Sequence, residues 1–266
     1  MRLLGCLMIC SKKVLEVSKV VLITGSSGGI GRALVDEYLI DNYYVVGVDT
    51  ISSGLTSDLF LEIITDLSEF AKNENYREKL LDEIKNLLPK NFSTFVIINN
   101  AAVQILKPIS GIYWKDWENT LSVNTVAPFF LVQGFMEALI SSQGHVINIS
   151  SIHSKLTKEY FSCYAASKAA LEALTRSLAL ELSPKGISVN AIAPAAISTE
   201  MLKDGFRDTS YKLQELKSYH PSGSIGSPEQ LANFVKSISD HKSGFLTGAV
   251  LEFNGGIGGK LHDPGS

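Results

Sequence analysis

Thr24-Gly25-Ser26-Ser27-Gly28-Gly29-Ile30-Gly31 follows directly on the apolar run Lys19-Val20-Val21-Leu22-Ile23. An apolar strand, a glycine-rich turn and a helical pattern over about 29–41 form the opening of a βαβ unit. Glycines in such a turn let the backbone approach a pyrophosphate closely. The helix behind them supplies free N–H groups and the positive end of its dipole. Taken alone, the glycines fit a plain tight turn equally well; their place after an apolar first strand favours a nucleotide. The turn ends in Gly31-Arg32, without the Gly-Lys-Ser/Thr of a P-loop.

Outward from this turn, short β-branched runs alternate with longer helical patterns. Residues 44–49, 61–65, 94–98, 144–149, 187–192 and 250–253 read as further strands. Helices are predicted over about 76–88, 124–141, 160–182 and 228–239, the last with Pro228 in its first turn. Strands apolar on both faces and alternating with helices predict a parallel sheet covered on both sides. The expected fold is a single-domain, doubly wound α/β Rossmann-type fold of about seven parallel strands. It spans 19–266, with 1–18 as an N-terminal extension.

Hydrophobic residues make up 45% of the 266-residue chain and charged residues 19%, enough apolar material for a buried sheet. A formal net charge of −3 and the lack of a long basic run argue against a nucleic-acid partner. Cys6, Cys10 and Cys163 make an odd count with no paired framework, which points to a reducing, cytoplasmic setting. Neither His nor a second cysteine pair stands near Cys6 and Cys10, so no metal site is expected. The mostly apolar residues 1–10 are too few to cross a bilayer, which takes about 20 residues, and no membrane partner is expected. They read as an extension before the first strand. A signal-peptide h-region is the other reading, weakened by Ser11-Lys12-Lys13 and by the want of a small-residue cleavage site. Met8 is an alternative start.

Asp49 ends the second strand, eighteen residues after Gly31. A carboxylate there can accept hydrogen bonds from both ribose hydroxyls of an adenosine and repels a 2′-phosphate. The next residue is Thr50, not a cation, so NAD is expected over NADP. An ordinary solvated strand end is the plain alternative for Asp49.

Tyr164-Ala-Ala-Ser-Lys168 opens the helix after the fifth strand. Residues four apart share a helix face. Free tyrosine titrates near pH ~10 and is a poor acid–base catalyst at neutrality. A nearby ammonium stabilises the phenolate and is expected to lower that pKa. Tyr164 could then give a proton to a ketone oxygen or take it back. Ser151, at the end of the fifth strand, could hydrogen-bond the same oxygen, although Ser150 serves as well when judged alone.

The ordered set Thr24-Gly-x-x-x-Gly-Ile-Gly31, Asn99-Asn-Ala-Ala102, Asn124, Ser151, Tyr164-x-x-x-Lys168 and Asn190-Ala-Ile-Ala-Pro194 resembles the short-chain dehydrogenase/reductase family from about Lys19 to Gly256. That resemblance implies reversible hydride transfer between NAD(H) and a small alcohol or carbonyl substrate. Tyr164 would be the acid–base residue, and Lys168 would also hold the nicotinamide ribose. Ser151 would orient the carbonyl, and Asn124 would hold a water in a proton relay ending at Lys168. Gly25, Ser27, Gly29, Ile30 and Gly31 would cradle the pyrophosphate. Asp66 and Leu67 would contact the adenine, Asn100 and Ala101 would line the cleft, and Pro194, Ile197 and Thr199 would cover the nicotinamide. Segment 199–226 would be the substrate lid, and the family implies a homotetramer or homodimer. Ala102 and Ala195 stand where the family usually has glycine, and Asn254 where it usually has Asp.

Three other readings compete. One is an NADPH-dependent carbonyl or 3-oxoacyl reductase. Another is a non-catalytic NAD(H)-binding protein, which the complete catalytic set opposes. The third is a nucleotide-sugar epimerase or dehydratase, for which the chain leaves little room after its last strand. His153 beside Ser151 invites a hydrolase reading, but no Gly-x-Ser-x-Gly elbow surrounds the serine, so His153 is expected to line the pocket or pack. Cys163, Trp114 and Trp117 are expected to pack.

Overall fold

The computed structural model describes residues 18–199, 202, 210–241 and 243–260. Seven strands form one parallel sheet: β1 (Lys19–Thr24), β2 (Tyr44–Asp49), β3 (Phe60–Ile64), β4 (Thr94–Asn99), β5 (His145–Ile149), β6 (Ser188–Pro194) and β7 (Val250–Phe253). Their spatial order is β3-β2-β1-β4-β5-β6-β7. The order reverses between β1 and β4, where Ile23 pairs with Ile98. This is the crevice in which open parallel sheets bind ligands.

The central strands are buried on both faces, as their uninterrupted Val/Ile/Leu content requires. One face packs on α1 (Gly29–Ile40) and a late helix over Pro228–Ser239, through Leu34, Val35, Tyr38, Leu231 and Val235. The other face carries α2 (Leu67–Lys72), α3 (Glu74–Leu87), α4 (Trp114–Leu121), α5 (Ala127–Gly134), α6 (Met136–Ser142) and α7 (Ser162–Leu182). Phe70, Leu81, Leu131, Phe135 and Leu182 fill its core. Helix α8 runs over Ser210–Tyr219 and α9 is the late helix. Its Ser227 cap and Gln230 bond reciprocally across the first turn, with Pro228 between them.

Among the differences from the sequence reading, two concern the neighbourhood of the site. The helix expected from Asn124 begins at Trp114, and Ser122–Val126 is a π turn between α4 and α5. The widened turn breaks the 3.6-residue apolar repeat, which hides the helical stretch before it. Helix α2 is the second difference. It has six residues and is started by Asp66, whose carboxylate accepts the Ser68 N–H at 2.8 Å. Residues 200, 201 and 203–209 of the expected lid, Met201 and Phe206 among them, lie outside the described residues, as do Cys6 and Cys10. Among the described residues no single helix is long and apolar enough to cross a membrane.

Candidate active site

Three positions of the turn after β1, Gly25, Gly29 and Gly31, require glycine. A Cβ at Gly31 would lie 1.7 Å from the Gly25 carbonyl oxygen, so α1 rises directly against the turn. Gly25 has φ +65°, and a Cβ there would meet Ala101 Cα at 2.9 Å. Helix α1 has no side-chain cap and no acidic residue in its first turn. Its first N–H groups therefore keep their donors for an anion. Ile30 packs into the core beneath. The Thr24 hydroxyl accepts the N–H groups of Asn100 and Ala101, both at 3.0 Å, and Asn100 Nδ2 donates to the Thr24 and Gly25 carbonyls. The floor of the crevice is thus fixed from both sides. Thr199 stands opposite, where a Cβ on Gly29 would come within 3.1 Å of its methyl group.

Asp49 braces this cradle. One carboxylate oxygen accepts the Ser27 N–H at 2.9 Å and the other the Thr50 N–H at 2.7 Å, while Ser27 Oγ donates to the Ile51 carbonyl. Asp66 is engaged by the Ser68 N–H and hydroxyl, and Leu67 is buried in the core. Pro194 ends β6, buried, and Ile197 bridges to Gly226. Ala102 is exposed, and the Ala195 N–H donates to the Phe253 carbonyl at 3.0 Å. An unoccluded, glycine-lined cradle with free helix N–H groups and a carboxylate at the end of β2 fits a dinucleotide.

Ser151, Tyr164 and Lys168 gather at the carboxyl end of β5. The Ser151 hydroxyl favours the ionised form of the Tyr164 phenol. Lys168 Nζ lies 5.7 Å from the Tyr164 ring centroid and donates to the Ile149 carbonyl at 2.7 Å. Burial pushes the Tyr164 phenol up, and the Ser151 hydroxyl offsets only part of that. The expected lowering by Lys168 is therefore corrected: desolvation is the larger influence here. Burial also pulls the Lys168 ammonium down to about 8.

Asn124 sits in the π turn, a feature common at functional sites. Its side chain exchanges two hydrogen bonds with the Val103 backbone and donates to Ser167 Oγ at 2.9 Å. It thereby ties the segment after β4 to the residue preceding Lys168. His153 stacks on Phe161 with centroids 4.1 Å apart, and both rings stand edge-on to Tyr164. The imidazole is held below its ordinary value by burial and by Lys158, so it packs as expected. Cys163 is a buried free thiol. Trp114 does not pack within the chain; it is 75% exposed. An open groove of about 680 Å³, lined by Leu106, Pro108, Lys158 and Tyr160, meets the site at Phe161. Tyr160, with φ 72°, holds its wall by accepting the Lys107 N–H at 3.2 Å.

Residues 19–210 match the family model for short chain dehydrogenases. The chain belongs to the short-chain dehydrogenase/reductase family. It is 31% identical to a 3-oxoacyl-(acyl-carrier-protein) reductase of Aquifex aeolicus over 90% of this chain and 97% of that one. It is 29% identical to an NAD-dependent glycerol dehydrogenase of Listeria innocua over 90% and 93%. The aldohexose dehydrogenase of Thermoplasma acidophilum superposes with a TM-score of 0.82 at 25% identity, covering 94% of this chain and 97% of that one. As a member of this family the chain is an oxidoreductase with a Rossmann-type NAD(P)-binding fold.

Several supporting residues escaped the sequence reading. Asn99 Nδ2 donates to Asn148, which donates to Thr175 on α7, both at 2.8 Å. This buried ladder sets α7 against β4 and β5. Ser150, Ser154 and Glu172 form a second buried cluster. Contacts between residues 18 to 49 positions apart leave no local pattern.

Proposed function

We propose that this enzyme interconverts an alcohol and a carbonyl using NAD(H), with Tyr164 as the acid–base residue. The observation that carries the reading is the buried Lys168 ammonium, tied to the Ile149 carbonyl at the end of β5 and 5.7 Å from the Tyr164 ring centroid, with Ser151 two residues beyond Ile149. The nicotinamide, when bound, accepts or supplies the hydride at the substrate carbon.

In the reducing direction Tyr164 Oη donates its proton to the carbonyl oxygen, and Ser151 Oγ donates a second hydrogen bond to that oxygen as charge develops. In the oxidising direction Tyr164 takes the hydroxyl proton. The Lys168 ammonium stabilises the phenolate so formed and holds the nicotinamide ribose. Asn124 keeps the helix around Lys168 in register and, with Lys168, carries the proton relay to solvent. Gly25, Ser27, Gly29, Ile30 and Gly31 bind the pyrophosphate. Asp66, Leu67, Asn100 and Ala101 border the adenine side, and Pro194, Ile197 and Thr199 the nicotinamide. Asp49 favours NAD because its carboxylate repels a 2′-phosphate, and Arg32, the cation nearest the turn in sequence, is paired with Asp36 at 3.1 Å.

A second reading is an NADPH-dependent carbonyl or 3-oxoacyl reductase. The Aquifex relative favours it, as does burial that keeps the Tyr164 phenol protonated at neutral pH, the form that donates. Exposed Trp114 and Leu180 on α4 and α7 support a homodimer or homotetramer. The buried free Cys163 accords with a reducing, cytoplasmic setting. The test is Tyr164→Phe with NADH and NADPH against a panel of alcohols and ketones. A loss of about 10²- to 10⁴-fold in kcat with unchanged cofactor affinity is expected; full activity in the variant defeats the mechanism.

A further inference from the structure

A carboxylate that makes no contact with the Tyr164 phenol fastens the catalytic serine loop to the catalytic helix. Glu172 lies on α7 one turn beyond Lys168 and is only 4% exposed. Its Oε1 accepts Ser150 Oγ at 2.8 Å and also accepts Ser154 Oγ. These two serines bracket Ser151. Ser150 precedes it and donates its N–H to Ile192 on β6 at 2.7 Å. Ser154 closes the turn after it by donating its N–H to the Ser151 carbonyl at 3.0 Å. Ser151 Oγ itself accepts the His153 N–H at 3.2 Å and favours the Tyr164 phenolate. Tyr164 lies in the first turn of α7, and the Glu172 tie holds the same loop to that helix eight residues further along. A buried carboxylate is costly unless hydrogen-bonded, and two hydroxyl donors on one oxygen make a strong, directional tie.

We propose that Glu172 is a positioning residue. It holds the 150–154 turn against α7 so that the Ser151 hydroxyl meets both the Tyr164 phenol and the substrate oxygen. This rests on the acid–base reading above, in which Ser151 touches the substrate. Because the clamp works through Ser151, its effect has a ceiling, namely the loss caused by removing the Ser151 hydroxyl. Glutamine keeps an oxygen able to accept both serines, whereas leucine fills the space and accepts neither.

The experiment compares the wild type with Glu172→Gln, Glu172→Leu, Ser151→Ala and the Glu172→Leu/Ser151→Ala double variant. It measures kcat, KM and NADH affinity, and the crystal structures of the wild type and Glu172→Leu are determined. The expected result is a roughly 10- to 100-fold lower kcat for Glu172→Leu, the scale of a small misplacement of a reacting group. NADH affinity stays unchanged, Glu172→Gln restores most activity, and Glu172→Leu has little further effect in the Ser151→Ala background. The Ser151 Oγ to Tyr164 Oη contact lengthens in the crystal. An undiminished Glu172→Leu loss in the Ser151→Ala background, or an unmoved Ser151, overturns the proposal. If the wild type turns over no substrate, the proposed activity fails, and the crystallographic comparison still decides the clamp. Should Glu172→Leu not fold, Ser154→Ala removes half of the tie. An intermediate fall in kcat supports the proposal, and no fall overturns it.

Discussion

Lys168 sets stability against chemistry. It is a 2% exposed ammonium whose Nζ is tied to the Ile149 carbonyl, and among the described residues it forms no salt bridge. Burial moves its pKa from 10.5 to about 8, which corresponds to about 3 kcal/mol at 1.36 kcal/mol per tenfold change. The unfolded lysine keeps its proton to about pH 10.5 and the folded one only to about 8. Between those values the unfolded state binds more protons, so this group makes stability rise with pH across that window. The full penalty is present below pH 8. Lys168→Met keeps the length and removes the charge. It leaves the Ile149 carbonyl without its donor, at a cost of about 1 kcal/mol. At pH 7 the variant should therefore be more stable than the wild type by about 2 kcal/mol, or about 4–8 °C in Tm for a domain of this size. The advantage should shrink steadily from pH 8, vanish at pH ~9.5 and become a deficit of about 1 kcal/mol near 10.5. Urea unfolding at pH 7, 8, 9 and 10 measures it. A variant less stable than the wild type at pH 7, or a difference flat in pH, refutes the reasoning.

Other perturbations test the scaffold and the cofactor site. Gly31→Ala places a methyl 1.7 Å from the Gly25 carbonyl oxygen; the turn must move, and NADH affinity measured by fluorescence titration should fall by about 100-fold or more. Asp49→Asn removes the charge but keeps a group able to accept the Ser27 N–H, so the ratio of NADPH to NADH affinity should rise at least about tenfold. An unchanged ratio would show that the carboxylate does not discriminate. Asn148→Leu leaves Asn99 and Thr175 without their shared partner in the core and should destabilise the fold by about 2–4 kcal/mol in chemical denaturation.

The strands were legible because each is a short β-branched run bounded by turn residues. The predicted and observed limits of β2 and β7 coincide, and so do those of α9, where Pro228 and the Ser227 cap mark the start. The glycine turn placed the crevice because Gly31 has no room for any other residue. What failed was local periodicity under tertiary control. The π turn at Asn124 interrupts the apolar repeat, and α2 is too short to show one. Legibility of the Tyr164–Lys168 pair came from spacing alone, whereas the direction of the Tyr164 shift depends on burial, which no spacing reveals. Glu172 belongs to no sequence motif, because only the folded chain brings Ser150 and Ser154 to it.

The reversal of strand order at β1 and β4 also governs when the parts of this enzyme come into being. Strands β1, β2 and β3 pair with one another using only the first 64 residues. The other wall of the crevice waits for Asn100, and β1 meets β4 only after a loop of some 75 residues has closed. Helix α7 and its catalytic pair arrive later still. During synthesis, then, half a sheet with a glycine turn but no acid–base residues leaves the ribosome first, and its unpaired β1 edge is open to other chains until β4 covers it. A slowly translated or truncated copy would face its greatest aggregation hazard at that stage, before any catalytic group has been placed.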